Sequence, residues 1–90
     1  MTKEHLVEKM AWEAKITKRA AEAALNSFIS GVRDALKRGE HVSLVGLGTF
    51  VVGKRAARNG WDPRSGRSIR IKATYVPRFR PGKALRDVVR

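Results

Sequence analysis

Between Gly53 and Lys72 the chain sets Lys54, Arg55, Arg58, Arg64, Arg67, Arg70 and Lys72 against a single acid, Asp62, a net charge of +6 over twenty residues. Near the middle of this stretch lies Asn59-Gly60-Trp61-Asp62-Pro63-Arg64-Ser65-Gly66, a turn-rich run with an aromatic and a proline at its expected tip. A segment so charged repels itself and has few apolar side chains to bury, so it is expected to project into solvent and to gain from a polyanion. Nucleic acid is the first partner this chemistry suggests. Guanidinium groups suit a narrow, electronegative groove because they are less costly to dehydrate than ammonium groups. The plain alternative is a soluble charged ribbon, yet a ribbon with almost no balancing acids has no stability reason to exist.

The elements that must carry this segment follow from hydrophobic period. Thr2 is expected to cap a first helix over about Lys3 to Ala14, with Leu6, Val7 and Met10 in one stripe and Glu4, Glu8 and Glu13 on other faces. Thr17 caps a longer helix in which Ala20, Ala21, Ala24, Leu25, Phe28, Ile29, Val32 and Leu36 recur at spacings of three or four. Ala20, Ala21 and Ala24 allow close helix approach, and Lys37-Arg38-Gly39 ends it. After Gly39 the period falls to two. Val42 and Leu44, then Phe50 and Val52, flank Gly46-Leu47-Gly48 and predict two strands joined by a glycine-bounded turn. Ile69 and Ile71 alternate with Arg70 and Lys72 on the return side of the basic segment. Ala73 to Val76 then rejoin the body, Pro77 suggests an edge or a bulge, and Phe79 reads as a buried anchor. Arg80-Pro81-Gly82 leads into a short helix from Lys83 to about Val89 with Leu85, Val88 and Val89 as its apolar face.

Ninety residues make one small domain, which buries only about 60 to 65 % of the surface of its unfolded chain. With no cysteine there are no disulfides, zinc-thiolate sites or thiol nucleophiles, so oligomerisation is the expected source of further burial. The +12 net charge is uneven: residues 1–40 carry +2 and residues 41–90 carry +10. The helical part is nearly balanced, and the strand and ribbon part would meet phosphate.

Several classes fall away. His5 and His41 have no second histidine or cysteine at ligand spacing, so no metal site is expected. Glu4 and Glu8, four apart among Lys3, Lys9 and Lys15, read as helix solvation rather than as a catalytic carboxylate pair. Gly46-Leu47-Gly48 precedes a strand rather than a helix and is no phosphate loop. Neither a signal peptide core nor a membrane span is visible, and the cytoplasm is the expected compartment. Nothing argues for catalysis or for a cofactor.

Three separated segments carry a resemblance. Leu44-Val45-Gly46-Leu47-Gly48-Thr49-Phe50, then Lys54-Arg55-Ala56-Ala57-Arg58-Asn59-Gly60 leading to Pro63, then Val76-Pro77-Arg78-Phe79 followed by Pro81-Gly82-Lys83-Ala84-Leu85 are similar, at family spacing, to the HU family of bacterial histone-like DNA-binding proteins. Integration host factor shares that fold. The resemblance implies an α+β fold: a helical base, a three-stranded antiparallel sheet with a long β-ribbon arm, and a short C-terminal helix, in an intertwined dimer. On this basis residues 1–39 form the dimerisation base, 40–52 and 73–90 the sheet saddle and terminal helix, and 53–72 the arm, all within one domain, 1–90. It also implies that two arms wrap the minor groove of double-stranded DNA. Composition alone reaches polyanion binding only.

The resemblance assigns the arm contacts to Lys54, Arg55, Arg58, Trp61, Pro63, Arg64, Arg67, Arg70 and Lys72, with Pro63 as a wedge that partly unstacks a base step. Turn chemistry also explains Pro63, since Asp-Pro-Arg-Ser-Gly suits a type I turn with Gly66 in a left-handed conformation, and the two roles can coexist. From the body, Lys3, Lys18, Gly46, Arg80 and Lys83 are the candidate contacts. Four positions depart from the family pattern. Leu47 stands where phenylalanine is usual, Trp61 where many relatives have a basic residue, Asp62 where asparagine or lysine is usual, and Ser65 where threonine is usual. Asp62 would add a negative charge beside the wedge, whereas Trp61 would exchange a charge for apolar contact with a sugar or base edge.

The functional expectation is a nucleoid-associated, largely sequence-independent architectural protein that bends and condenses bacterial chromosomal DNA, preferring bent, nicked or flexible duplex. A sequence-preferring bending factor of the integration-host-factor type is the nearer alternative, although its relatives often extend the terminal helix beyond the point where this chain reaches Arg90. An RNA-binding, ribosome-associated protein is the more distant one.

Overall fold

The computed structural model describes residues 1–90. In chain order it contains α1 (Lys3–Ala14), α2 (Lys18–Lys37), β1 (Val42–Leu44), β2 (Gly48–Arg55), β3 (Arg58–Trp61), β4 (Ser68–Ile71), β5 (Thr74–Pro81) and α3 (Lys83–Val89). The fold is α+β, as expected, and divides into two compact units, Met1–Asp34 and Ala35–Arg90.

In the first unit, Thr2 starts α1 with a capping box: its hydroxyl accepts from the His5 backbone N–H at 3.4 Å, and His5 Nδ1 accepts from the Thr2 N–H at 3.2 Å. His5 thus has a structural task at the helix start. Lys15 closes α1 in the left-handed region, φ 56°. Thr17 Oγ1 then accepts from the Ala20 N–H at 3.0 Å and opens α2. The core between the two helices is Val7, Ala11 and Ala21, with Met10 and Leu25 partly covered. Of the three alanines expected to allow close approach, Ala21 is wholly buried, while Ala20 and Ala24 are exposed. Leu6, placed by its spacing in the α1 stripe, remains 40 % exposed.

In the second unit the sheet order is β1-β2-β5, antiparallel throughout. Pro77 lies in β5, an outer strand, opposite Val52 in an unbroken ladder, so edge rather than bulge explains it. A two-residue gap on each side, Ala56-Ala57 and Lys72-Ala73, separates this sheet from the β3-β4 ladder. The cross-strand offset is the same on both sides of the gap: Arg55 faces Thr74 and Arg58 faces Ile71. No residue is therefore inserted on either strand, and the ribbon continues the β2-β5 hairpin in register.

Cross-strand partners share a face, so one face of the sheet collects Val42, Leu44, Phe50, Val52, Pro77 and Phe79. Phe50 and Phe79 meet as a tilted aromatic pair, ring centroids 4.9 Å apart. Phe79 is nevertheless 38 % exposed, which corrects the expectation of a buried anchor: within its own chain Phe50 and the close approach of Gly48 cover the ring only in part. The apolar face of α3 is likewise uncovered at Val88 and Val89. At the β1-β2 turn a Cβ on Gly48 would strike the Arg80 carbonyl oxygen and Cζ of Phe79, so glycine there lets β5 and the chain entering α3 come close.

Candidate nucleic-acid interface

The β3-β4 ribbon has two unlike faces. Register puts Arg58 with Ile71 and Gly60 with Ile69 on one, and Asn59 with Arg70 and Trp61 with Ser68 on the other. On the first face the isoleucines close over Gly60, where an added Cβ would lie 2.6 Å from Ile71 Cδ1 and 3.5 Å from Ile69 Cγ1. This aliphatic patch gives the ribbon a packing of its own, and Gly60 is small enough to permit it.

The tip is built by Asp62. Its backbone N–H donates to the Arg67 carbonyl at 2.8 Å, and its carbonyl accepts from the Gly66 N–H at 2.8 Å. The side chain takes two more donors: Oδ1 accepts from the Arg64 N–H at 2.9 Å and Oδ2 from the Ser65 hydroxyl at 3.1 Å. Ser65 Oγ in turn accepts from the Arg67 N–H at 3.3 Å. Pro63 follows Asp62 with its fixed φ, and Gly66 closes the loop at φ 71°, the left-handed conformation expected of it. Pro63 is exposed at the start of this turn. Both carboxylate oxygens of Asp62 are thus committed to the loop, and the charge that looks like a liability beside Pro63 serves as the acceptor that organises it.

All seven cations from Lys54 to Lys72 are exposed, and none is paired with a carboxylate. Neighbouring members separate by face. Arg55 lies on the sheet face that carries Thr49, Val51, Gly53, Val76, Arg78 and Arg80, whereas Lys54 lies opposite Tyr75 and lines a depression with Leu36, Val52 and Tyr75. The first of these faces is a second basic surface, with three arginines and no acid. Arg78 reaches along it over Gly53, where an added Cβ would sit 2.7 Å from Nε. Glycine at 53 leaves the guanidinium resting on backbone.

The body cations are more constrained. In the first unit Lys3 and Lys18 line one groove with Glu4, Val7, Glu8 and Glu22, and Lys18 pairs with Glu8 at 3.5 Å. Three carboxylates to two ammonium groups make that groove a poor match for phosphate. In the second unit Lys83 pairs with Asp87 at 2.9 Å, while Gly46, φ 88°, sits in the exposed β1-β2 turn.

An unpaired basic ribbon with a preformed tip, continuous in register with a sheet that bears three more arginines, is a surface for a long polyanion. The family described as bacterial DNA-binding proteins matches residues 1–90. The chain belongs to that family. Among its relatives are the DNA-binding proteins HU-beta of Salmonella typhimurium and of Escherichia coli K12, 52 % and 51 % identical over 89 residues, with 99 % of each chain covered. Its fold matches an Anabaena HU solved in a cocrystal with DNA, TM-score 0.88 at 38 % identity, over 99 % of this chain and 97 % of that one. An HU mutant from Thermotoga maritima matches at TM-score 0.73 and 29 % identity over the whole of both chains. The family is not one of enzymes, which accords with a sequence that offers no catalytic constellation.

Of the arm residues named from the sequence, Arg58, Trp61, Pro63, Arg64, Arg67 and Arg70 fall on the ribbon or its tip, Lys72 falls in the gap below it, and Lys54 and Arg55 belong to β2. Arg78 is the basic residue that sequence reasoning misses. Its signal is the alternation of Arg78 and Arg80 along β5, which places both on the face of Arg55. Asp62 stands out in the sequence for its charge, yet its position before Pro-Arg-Ser-Gly is the sign of a turn-building acceptor.

Proposed function

We propose that this chain is an architectural protein of the bacterial nucleoid that binds duplex DNA with little regard to sequence, bends it and compacts it. The single observation that carries this is the segment from Lys54 to Lys72: seven exposed cations without a carboxylate partner, four of them (Arg58, Arg64, Arg67 and Arg70) on the ribbon or its tip, whose geometry is set in advance by Asp62 and Gly66. Lys and Arg displace condensed counterions and supply most of the affinity, while the narrow minor groove draws in guanidinium groups. Pro63, rigid and without an N–H to satisfy, enters a base step at the tip. Smooth bending of a short site costs about 1–6 kcal/mol, offset by contacts that only bent DNA can make along the ribbon and along the Arg55, Arg78 and Arg80 face. DNA that is already nicked, kinked or flexible saves part of that cost and binds more tightly.

Two copies act together in this reading. The buried apolar residues of one chain are only Val7, Ala11, Ala21, Ala35 and Val51, with no large side chain fully enclosed, too little to hold ninety residues by itself. Phe28 in the first unit, and Phe79 and Leu47 in the second, are open apolar side chains left for a second copy of the chain to cover, and a homodimer presents two ribbons to one duplex.

The test is a titration of straight, nicked and four-way-junction DNA with wild type and Pro63→Ala at two salt concentrations. Nicked and junction DNA should bind best, and affinity should fall by roughly 10³ to 10⁵ between 50 and 200 mM salt if six to ten phosphates are contacted. Equal binding to all three DNAs, or stronger binding to structured RNA in competition, would overturn the proposal.

A further inference from the structure

Trp61 is the one large aromatic on the ribbon, and it is 68 % exposed. It ends the ladder opposite Ser68, whose side chain is too small to cover an indole. The aliphatic patch of Ile69 and Ile71 over Gly60 lies on the other face of the ribbon, so the ring has no apolar pack to join there. Its benzenoid edge lies near the loop, with Cζ2 4.0 Å from where a Cβ on Gly66 would stand. The ring therefore lies near the loop and is largely open to solvent. Arg70 shares its side of the ribbon, and Arg64 and Arg67 belong to the tip that follows it, all without carboxylate partners.

A flat π-surface among unpaired cations matches a ligand that joins flat rings to phosphates. An intact duplex hides its ring faces in the stack. We propose that Trp61 is a stacking platform for an exposed base, so that the ribbon tip recognises gaps and unpaired positions in DNA by their bases as well as by their flexibility. The proposal rests on the DNA-binding reading above and adds a specificity-determining residue to it. Pro63 opens a step with a small saturated ring, and the indole beside it offers a far larger surface to the base so released. The departures at 61 and 62 then act together: Asp62 ties down the loop beside which the ring lies.

The experiment compares two duplexes that share a two-nucleotide gap, one with ordinary bases opposite the gap and one with abasic residues there. Trp12, exposed on α1, is replaced by phenylalanine so that indole fluorescence reports Trp61 alone. The Trp12→Phe protein should bind the base-bearing gap roughly 5- to 100-fold more tightly than the abasic gap, as expected for stacking on one base. Its fluorescence should be quenched by the first DNA and much less by the second. Trp61→Leu should bring the affinity ratio close to one, and Trp61→Phe should keep most of it. Each variant is compared with itself on two DNAs, so a general loss of folding or affinity cancels in the ratio. A ratio of one in the parent, or an unchanged ratio in Trp61→Leu, overturns the inference while leaving DNA binding intact. Failure of the parent to bind either gapped or nicked duplex sinks the DNA-binding reading along with it.

Discussion

The Ser65 hydroxyl donates to Asp62 Oδ2 at 3.1 Å while its own oxygen accepts from the Arg67 N–H at 3.3 Å, so a single hydroxyl ties the two sides of the ribbon tip together. The Asp62 carboxylate holds the other end of this relay and the Arg64 N–H besides. Asp62→Ala should loosen the tip at a local cost of about 1 kcal/mol, the scale of a hydrogen bond to an exposed turn, with little effect on global melting. Asp62→Asn keeps an oxygen for the Arg64 N–H and should behave more like wild type. Amide exchange at Arg64, Gly66 and Arg67 checks this; unchanged exchange in Asp62→Ala would mean that Pro63 and Gly66 hold the turn unaided.

Gly48 predicts a larger effect, on stability. A Cβ at this position meets the Arg80 backbone and the Phe79 ring, neither of which is a flexible chain end that swings aside. Gly48→Ala should cost about 1–3 kcal/mol, as overpacking usually does, and lower the melting temperature by roughly 4 to 20 °C. Gly46→Ala meets no neighbouring atom and is strained by its φ of 88° alone, so it should lower the melting temperature less.

Arg78 is expected to act in binding rather than in folding, since its guanidinium lies exposed over Gly53. Arg78→Ala should weaken DNA binding about equally across sequences and reduce the slope of log affinity against log salt by about 1, as for loss of one phosphate contact. Arg86→Ala, a cation of α3, serves as the comparison. Equal slopes for wild type and Arg78→Ala would remove the Arg55, Arg78 and Arg80 face from the interface.

Acid should release one clasp at the end of α2. Arg38 grips Glu40 through Nε at 3.3 Å and Nη2 at 3.2 Å. This hydrogen bonding, reinforced by the guanidinium charge and opposed by a little desolvation, holds the Glu40 carboxyl below its ordinary 4.5. A carboxylate with a lowered folded pKa stabilises the fold above its unfolded value, and that contribution is lost as pH falls through the folded value. Both side chains are well exposed, so the effect on stability is small and weakens with salt. Side-chain NMR of Glu40 should show a midpoint below 4.5 that moves back toward it in Arg38→Gln; the same midpoint in both proteins would contradict the assignment.

Much of this architecture is legible in the chain itself. Thr2, Thr17 and Gly39 punctuate the helices, and the spans expected from them, Lys3 to Ala14 above all, are those observed. The ribbon is legible because uncompensated charge beside Asp-Pro-Arg-Ser-Gly has no place in a packed core and suits an exposed turn. Three features are hidden, each for a physical reason. Period assigns Phe79 to an apolar face without saying whether the same chain covers that face, and it does so only in part. Arg78 belongs to a surface assembled by pairing β5 with β2, invisible when basic residues are grouped by position along the chain. Asp62 reads first as a charge, although at a turn its two acceptor oxygens count for more.

In the proposed function the ribbon tips bend DNA rather than merely adhere to it. Its most direct test is energy transfer between dyes at the two ends of a nicked duplex, read at saturating protein. Wild type should bring the ends together and raise the transfer, and Pro63→Ala should bind with a clearly smaller rise. Saturated binding by wild type with no change in transfer would contradict the account.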